Sequence, residues 1–99
     1  MLILMGYITL DPAEVDAFAA AVEAISVSTN AEEGCLFYNI ILDDRLSGRF
    51  LAAQRWRDRQ ALTLHLEREE TLAFLAAWSG RMKADLKVYD AVQEQPFAG

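Results

Sequence analysis

The sequence predicts an α+β domain of β-α-β-β-α-β order, in which an antiparallel four-stranded sheet of ferredoxin-like topology carries its helices on one face. Three observations carry this reading. Four segments have strand character, the first two with apolar residues on both alternating sets. Between them lie segments whose apolar residues recur at steps of three and four. Asp43-Asp44-Arg45-Leu46-Ser47-Gly48 has hairpin-loop chemistry, so the second and third strands run antiparallel.

Leu2 to Thr9 is the first strand, with Leu2, Leu4, Gly6 and Ile8 on one face and Ile3, Met5 and Tyr7 on the other. Asp11-Pro12-Ala13-Glu14 then offers an N-cap acid, a proline at the first helical position and an acid at the third, resembling a capping box. The helix that follows buries Val15, Phe18, Val22 and Ile25 and ends near Ser28, with Asn30 to Gly34 as its exit loop. Cys35 to Leu42 is the second strand: Leu36, Tyr38, Ile40 and Leu42 alternate with Cys35, Phe37, Asn39 and Ile41. Arg49 to Arg57 is the third, with Phe50, Ala52, Gln54 and Trp56 on one face and Leu51, Ala53, Arg55 and Arg57 on the other. Asp58 caps a helical stripe of Leu62, His65 and Leu66, which Glu67 to Glu70 interrupts before a second stripe of Leu72, Leu75, Trp78 and Met82. This predicts two short helices or one bent helix. Asp85 to Gln93 closes the chain as the fourth strand, ahead of a tail containing Pro96.

Ninety-nine residues make one domain spanning positions 1–99, and a domain of this size buries only about 60–70% of the surface its unfolded chain exposes. Right-handed crossovers place both helical segments on the same side of the sheet, leaving an apolar face open. A large exposed apolar face marks an interaction surface, so a homodimer formed through it is expected.

Nine Lys and Arg against fifteen Asp and Glu give a net charge of −6, which repels phosphate backbones and anionic headgroups. Neither nucleic acid nor a membrane is expected as a partner. No apolar run is long enough to span a bilayer, and Met1 to Met5 enters a strand without a basic leader. The chain reads as cytoplasmic. The single cysteine, Cys35, has no internal disulfide partner and belongs to no cluster with metal-ligand spacing. It reads as a small buried apolar residue or, alternatively, a reactive thiol.

The segments Glu33-Gly34-Cys35-Leu36-Phe37-Tyr38 and Gln54-Arg55-Trp56-Arg57-Asp58, with Ala61-Leu62 and His65, resemble the antibiotic biosynthesis monooxygenase family over nearly the whole chain. That family shows an E-P-G-C-x-x-Y segment entering its second strand, E-x-W ending its third, and a histidine nine residues beyond that tryptophan. Trp56 and His65 have this spacing. The resemblance implies a dimeric α+β barrel in which two sheets face each other and each protomer holds a pocket between sheet and helices. It also implies a choice among cofactor-independent oxygenases of phenolic or quinol compounds, haem-degrading enzymes and isomerases, which the fold does not decide. In two places this chain departs from the pattern. Glu33 is followed directly by Gly34 where the family has a proline between, and Gln54 stands where a glutamate is usual. An amide can hydrogen-bond but cannot serve as a carboxylate base.

His65 is the only histidine and the natural carrier of a proton near neutral pH; the alternative is a helix-face histidine bonded to a backbone carbonyl. Trp56 offers a flat wall for an aromatic ligand, or plain core packing. His65 and Trp56 are therefore the candidate catalytic pair. Gln54 shares the Trp56 face, while Asn39 and Tyr7 are polar groups within apolar strands that need partners, supplied by a ligand, by water or across the sheet. Phe74 and Trp78 lie on a helical stripe as pocket wall or core. Gln54, Asn39, Tyr7, Phe74 and Trp78 form the candidate substrate-binding set, and Tyr38 is expected to be structural. The haem-degrading branch pairs a first-strand asparagine with a tryptophan and a histidine. Gly6 and Tyr7 occupy that region here and Asn39 lies on another strand, so haem degradation ranks low. No flavin or nucleotide fingerprint is present, and no cofactor or metal is expected. The leading expectation is a cofactor-independent monooxygenase of a small phenol or quinol. A non-catalytic ligand-binding or stress-associated dimer, favoured by Gln54, and a small-metabolite isomerase are the alternatives.

Overall fold

Alternating apolar residues from Leu2 to Leu10 form β1, which lies in the sheet interior, hydrogen-bonded to a strand on each side. The structure is a computed structural model and describes residues 1–98. After β1, a 3-10 turn at Pro12–Glu14 leads into α1 (Val15–Asn30), then β2 (Cys35–Asp44), β3 (Arg49–Trp56), α2 (Arg59–Glu67), α3 (Glu69–Trp78), a second 3-10 turn at Ser79–Arg81 and β4 (Met82–Asp90). The sheet order is β2-β3-β1-β4, antiparallel throughout. This is the four-stranded ferredoxin-like arrangement that the sequence predicts.

The Asp11 side chain accepts from the Ala13 amide at 2.9 Å and so caps the 3-10 turn. Glu14 does not close a capping box; its carboxylate pairs with Arg81 instead. Along α1 the expected stripe Val15, Phe18, Val22 and Ile25 is buried, and Thr29 extends it by one turn. Phe18 is fully buried, with its ring 4.8 Å from Phe50, 5.1 Å from Trp78 and 5.8 Å from Phe74. This aromatic cluster joins α1 and α3 to the sheet. The second helical region is two helices, broken at Arg68, whose ψ of 146° is extended.

The last strand differs from expectation. It begins at Met82 rather than Asp85 and ends at Asp90 rather than Gln93. Gly80 and the 3-10 turn stop the helix, and the ladder with β1 starts at once with Leu10 opposite Met82. Met82, placed by periodicity on the helical stripe, therefore opens the strand, while Val92 lies beyond it and is fully exposed.

The helices cover the sheet face carrying Leu2, Ile8, Leu10, Tyr38, Ile40, Phe50, Ala52, Gln54 and Trp56, all of them buried. The opposite face carries Met5, Tyr7, Phe37, Ile41 and Tyr89, each between 43% and 52% exposed. Among the described residues no helix is long and apolar enough to cross a membrane.

Candidate functional site

Three elements converge on one buried point beneath α2. On β3, Gln54 and Trp56 are two residues apart and so project to the same face. The Trp56 indole N–H donates to the Gln54 side-chain oxygen at 3.0 Å, and both side chains are buried. Indole nitrogen only donates, so this bond settles the orientation of the amide and leaves its NH2 group as the remaining donor.

Asp58 turns the chain into α2. Its carboxylate accepts from the Ala61 amide at 2.8 Å, and that bond holds it below the usual carboxylate range. The helix so begun buries Ala61, Leu62 and His65. The His65 ring lies 4.6 Å from the Trp56 ring and 5.9 Å from that of Tyr38.

The third element is the loop between α1 and β2, which brings in Glu32. Its carboxylate is 6% exposed and lies 2.9 Å from His65 Nδ1, with the Arg68 guanidinium 3.6 Å away. A carboxylate facing Nδ1 requires a proton there, so the neutral imidazole presents its lone pair at Nε2. Gly34 makes this loop path possible. Its φ is +86°, and a Cβ at that position would come within 2.5 Å of the Ala61 side chain. The Gly34 carbonyl also accepts from the Arg57 amide at 2.8 Å, tying the loop to the end of β3.

Glu32 was not among the residues expected at the site. The motif reading assigned the acid to Glu33, which is on the surface, 3.5 Å from Arg57 with its side chain 91% exposed. The overlooked signal is a count: in E-P-G-C the acid lies three residues before the cysteine, which is Glu32, so that Glu33 occupies the proline's place.

His65, Gln54 and Tyr38 line a cavity of about 110 Å³ together with Phe74, Thr71 and Leu66. The rest of its wall is apolar, from β1, β2, β4 and the helices. Among the described residues Thr29 Oγ1 is the one side-chain polar atom both sealed from solvent and without a partner, and it lies outside this lining. Burial, then the charges of Cys35 and Glu32, pushes the Tyr38 phenol up to about 12, so it serves as a neutral hydroxyl. Burial and then Glu32 likewise raise the Cys35 thiol, against a lowering by the Phe37 amide. These directions give Cys35 the inert character of a protonated thiol.

Of the residues singled out from the sequence, the structure brings together His65, Trp56, Gln54 and Phe74. Trp56, however, is fully buried behind His65 and Gln54 and outside the cavity lining, so it backs these two side chains instead of offering a ligand the flat wall expected from the sequence. The other three lie elsewhere. Asn39 faces away from Tyr38 on the edge strand β2 and is exposed. Tyr7 lies on the open face under the Arg49 guanidinium, 4.9 Å from its ring centre. Both belong to the alternating set that the helices do not cover, and solvent meets their hydrogen-bonding needs. Trp78 packs in the core against Phe18, capped by Arg81 at 4.0 Å. Among the described residues no group of three or more His, Cys, Asp or Glu side chains is placed to hold a metal.

Comparison with known proteins identifies the family and the fold. Residues 1–77 match the model of the antibiotic biosynthesis monooxygenase family. YcnE of Bacillus subtilis (strain 168), provisionally named a monooxygenase, is 25% identical over 88 residues, covering 89% of this chain and 93% of YcnE. A Deinococcus radiodurans structure, provisionally assigned as an antibiotic biosynthesis monooxygenase, superposes with a TM-score of 0.87 over the whole of both chains at 22% identity, a likeness of fold. PA3566 from Pseudomonas aeruginosa is 28% identical, with a TM-score of 0.77 over 95% of this chain and 94% of that one.

Proposed function

Since the chain belongs to the antibiotic biosynthesis monooxygenase family, we propose that it is a monooxygenase acting on a small, electron-rich phenol or quinol in the cavity lined by His65 and Gln54. The observation that carries this is the 2.9 Å pair of Glu32 with His65 Nδ1, which leaves Nε2 as the proton acceptor of a buried ring packed against Trp56.

In this mechanism His65 Nε2 takes the hydroxyl proton of the substrate, and Glu32 stabilises the imidazolium that forms. The deprotonated ring is electron-rich enough to reduce dioxygen itself. One oxygen atom ends on the ring carbon and the other leaves as water. The four electrons come from the substrate, so the overall balance is quinol plus dioxygen to hydroxyquinone plus water, and no added reductant is required. Trp56 stands behind the His65 ring, and the neutral Tyr38 hydroxyl and the Gln54 NH2 orient polar substituents. The open sheet face, with Met5, Tyr7, Phe37, Ile41 and Tyr89 exposed, supports a homodimer in which a second copy covers it.

The test is oxygen consumption by the purified protein against single-ring quinols, with His65→Gln alongside. Uptake above autoxidation that falls about 100-fold or more in the variant is expected. Uptake no greater than autoxidation overturns the oxygenase reading. Gln54 favours a second reading, a binding protein without turnover, because its amide orients a ligand but cannot exchange a proton as an acid would. Ligand binding without uptake would establish that reading.

A further inference from the structure

Two polar side chains that meet the cavity each have one end committed to a buried neighbour. The Gln54 oxygen is held by the Trp56 indole N–H at 3.0 Å, so the amide turns its NH2 toward the remaining space. Nδ1 of His65 is held by Glu32 at 2.9 Å, so the neutral ring turns its Nε2 lone pair the same way. Gln54 is 7% exposed and His65 4% exposed, and both belong to the lining. Neither free end has a hydrogen-bond partner among the described residues, and neither is sealed from solvent, so both stay open to a ligand that enters the cavity. Beside the Tyr38 and Thr71 hydroxyls, which can each donate or accept, the site therefore offers one fixed donor and one fixed acceptor, both flanking the same tryptophan.

Size limits the choice further. The cavity of about 110 Å³ is smaller than the roughly 150 Å³ known to take one benzene ring. Leu66, 47% exposed at its rim, is the wall residue most free to yield. On volume alone a single ring needs a small adjustment, whereas a fused polycycle needs far more space than the cavity holds.

The geometry points to a ligand no larger than one ring that carries a hydroxyl next to a carbonyl: the hydroxyl donates to His65 Nε2 and the carbonyl accepts from the Gln54 NH2. Glu32 is the positioning residue, acting through the histidine tautomer. The glutamine at position 54 sets the polarity, since a glutamate bonded to the same indole would present a second acceptor and repel the carbonyl. This inference rests on the proposed cavity but not on the oxygenase chemistry assigned to it.

The experiment uses the purified full chain and maltol, a one-ring hydroxy ketone, with its O-methyl ether and phenol as controls. Calorimetry is expected to show maltol binding about ten-fold or more tightly than either control, since each lacks one half of the pair. Gln54→Glu is expected to abolish the preference for maltol over phenol, and a preference retained in this variant overturns the assignment of the carbonyl to the Gln54 NH2. Because His65 is the only histidine, NMR of its ring nitrogens reads the tautomer directly. The neutral form is expected with its proton on Nδ1, shifting toward Nε2 in Glu32→Gln, a signature that a purely structural role for Glu32 would leave unmoved. Equal affinity for maltol and its ether, or an Nε2-protonated neutral ring in the parent protein, overturns the inference. Discrimination of maltol without quinol-dependent oxygen uptake supports it while refuting the oxygenase reading. Uptake without discrimination does the reverse.

Discussion

At the scale of single residues, two neighbouring acids have opposite fates. The Glu32 carboxylate is buried against His65 and Arg68, whereas Glu33 is solvated beside Arg57. A buried carboxylate persists only where hydrogen bonds and opposite charge compensate its lost hydration, and Glu32 has both. Tyr38 makes a testable case of the same environment. Its folded-state pKa of about 12 lies above the ordinary value of 10.0. For an acid shifted in this direction the stabilisation is complete below about pH 10 and is lost as pH rises toward 12, because the unfolded chain ionises first. Urea unfolding at a series of alkaline pH values is expected to show a loss on the order of 2 kcal/mol across that window. Tyr38→Phe should remove that part of the slope, and an unchanged slope in the variant would refute the assignment.

At the scale of elements, the site depends on one loop and one helix start. Asp58 sets the phase of α2, so that Ala61, Leu62 and His65 all face inward. Gly34 lets the preceding loop pass against Ala61 in a left-handed conformation that carries Glu32 to the ring. Gly34→Ala combines backbone strain with a collision, and a cost of roughly 1–3 kcal/mol is expected in chemical denaturation. The same variant should change the His65 ring shifts, since the Glu32 contact depends on the loop. A stable variant with unaltered shifts would show that the loop tolerates a side chain there. The break at Arg68 has a related effect: it ends α2 just after His65 and redirects the chain so that α3 brings Thr71 and Phe74 to the cavity.

At the scale of the whole molecule, the helices cover one sheet face and leave the other to solvent. The uncovered face is mixed rather than wholly apolar, but most of its charges are paired, Lys83 at the end of β4 being the exception among the described residues. Arg49 pairs with Asp43 at 2.6 Å and lies over Tyr7, and Arg55 pairs with Glu94 at 3.2 Å. A face of exposed Met5, Phe37, Ile41 and Tyr89 whose charges are mostly paired is suited to meet a second copy of itself. Replacing Met5 and Ile41 together by lysine is expected to convert a dimer to a monomer in sedimentation experiments and to lower thermal stability. A parent protein that sediments as a monomer would refute this assembly.

Much of this protein was legible in one dimension. The two-residue period separated the strand faces, the stripe from Val15 to Ile25 identified the buried side of α1, and Asp58 announced a helix start, because these depend on near neighbours along the chain. The spacing of Trp56 and His65 also survived folding as a contact. Alternation placed Asn39 and Tyr7 on the set opposite Tyr38 and Leu4, yet only the packed helices showed which set was covered. The limits of β4 likewise depended on where the β1 ladder begins. The meeting of Glu32 with His65, 33 residues apart, was decided by tertiary structure alone. It requires a glycine-enabled loop and a docked helix to arrive at one point, and no local periodicity encodes that coincidence.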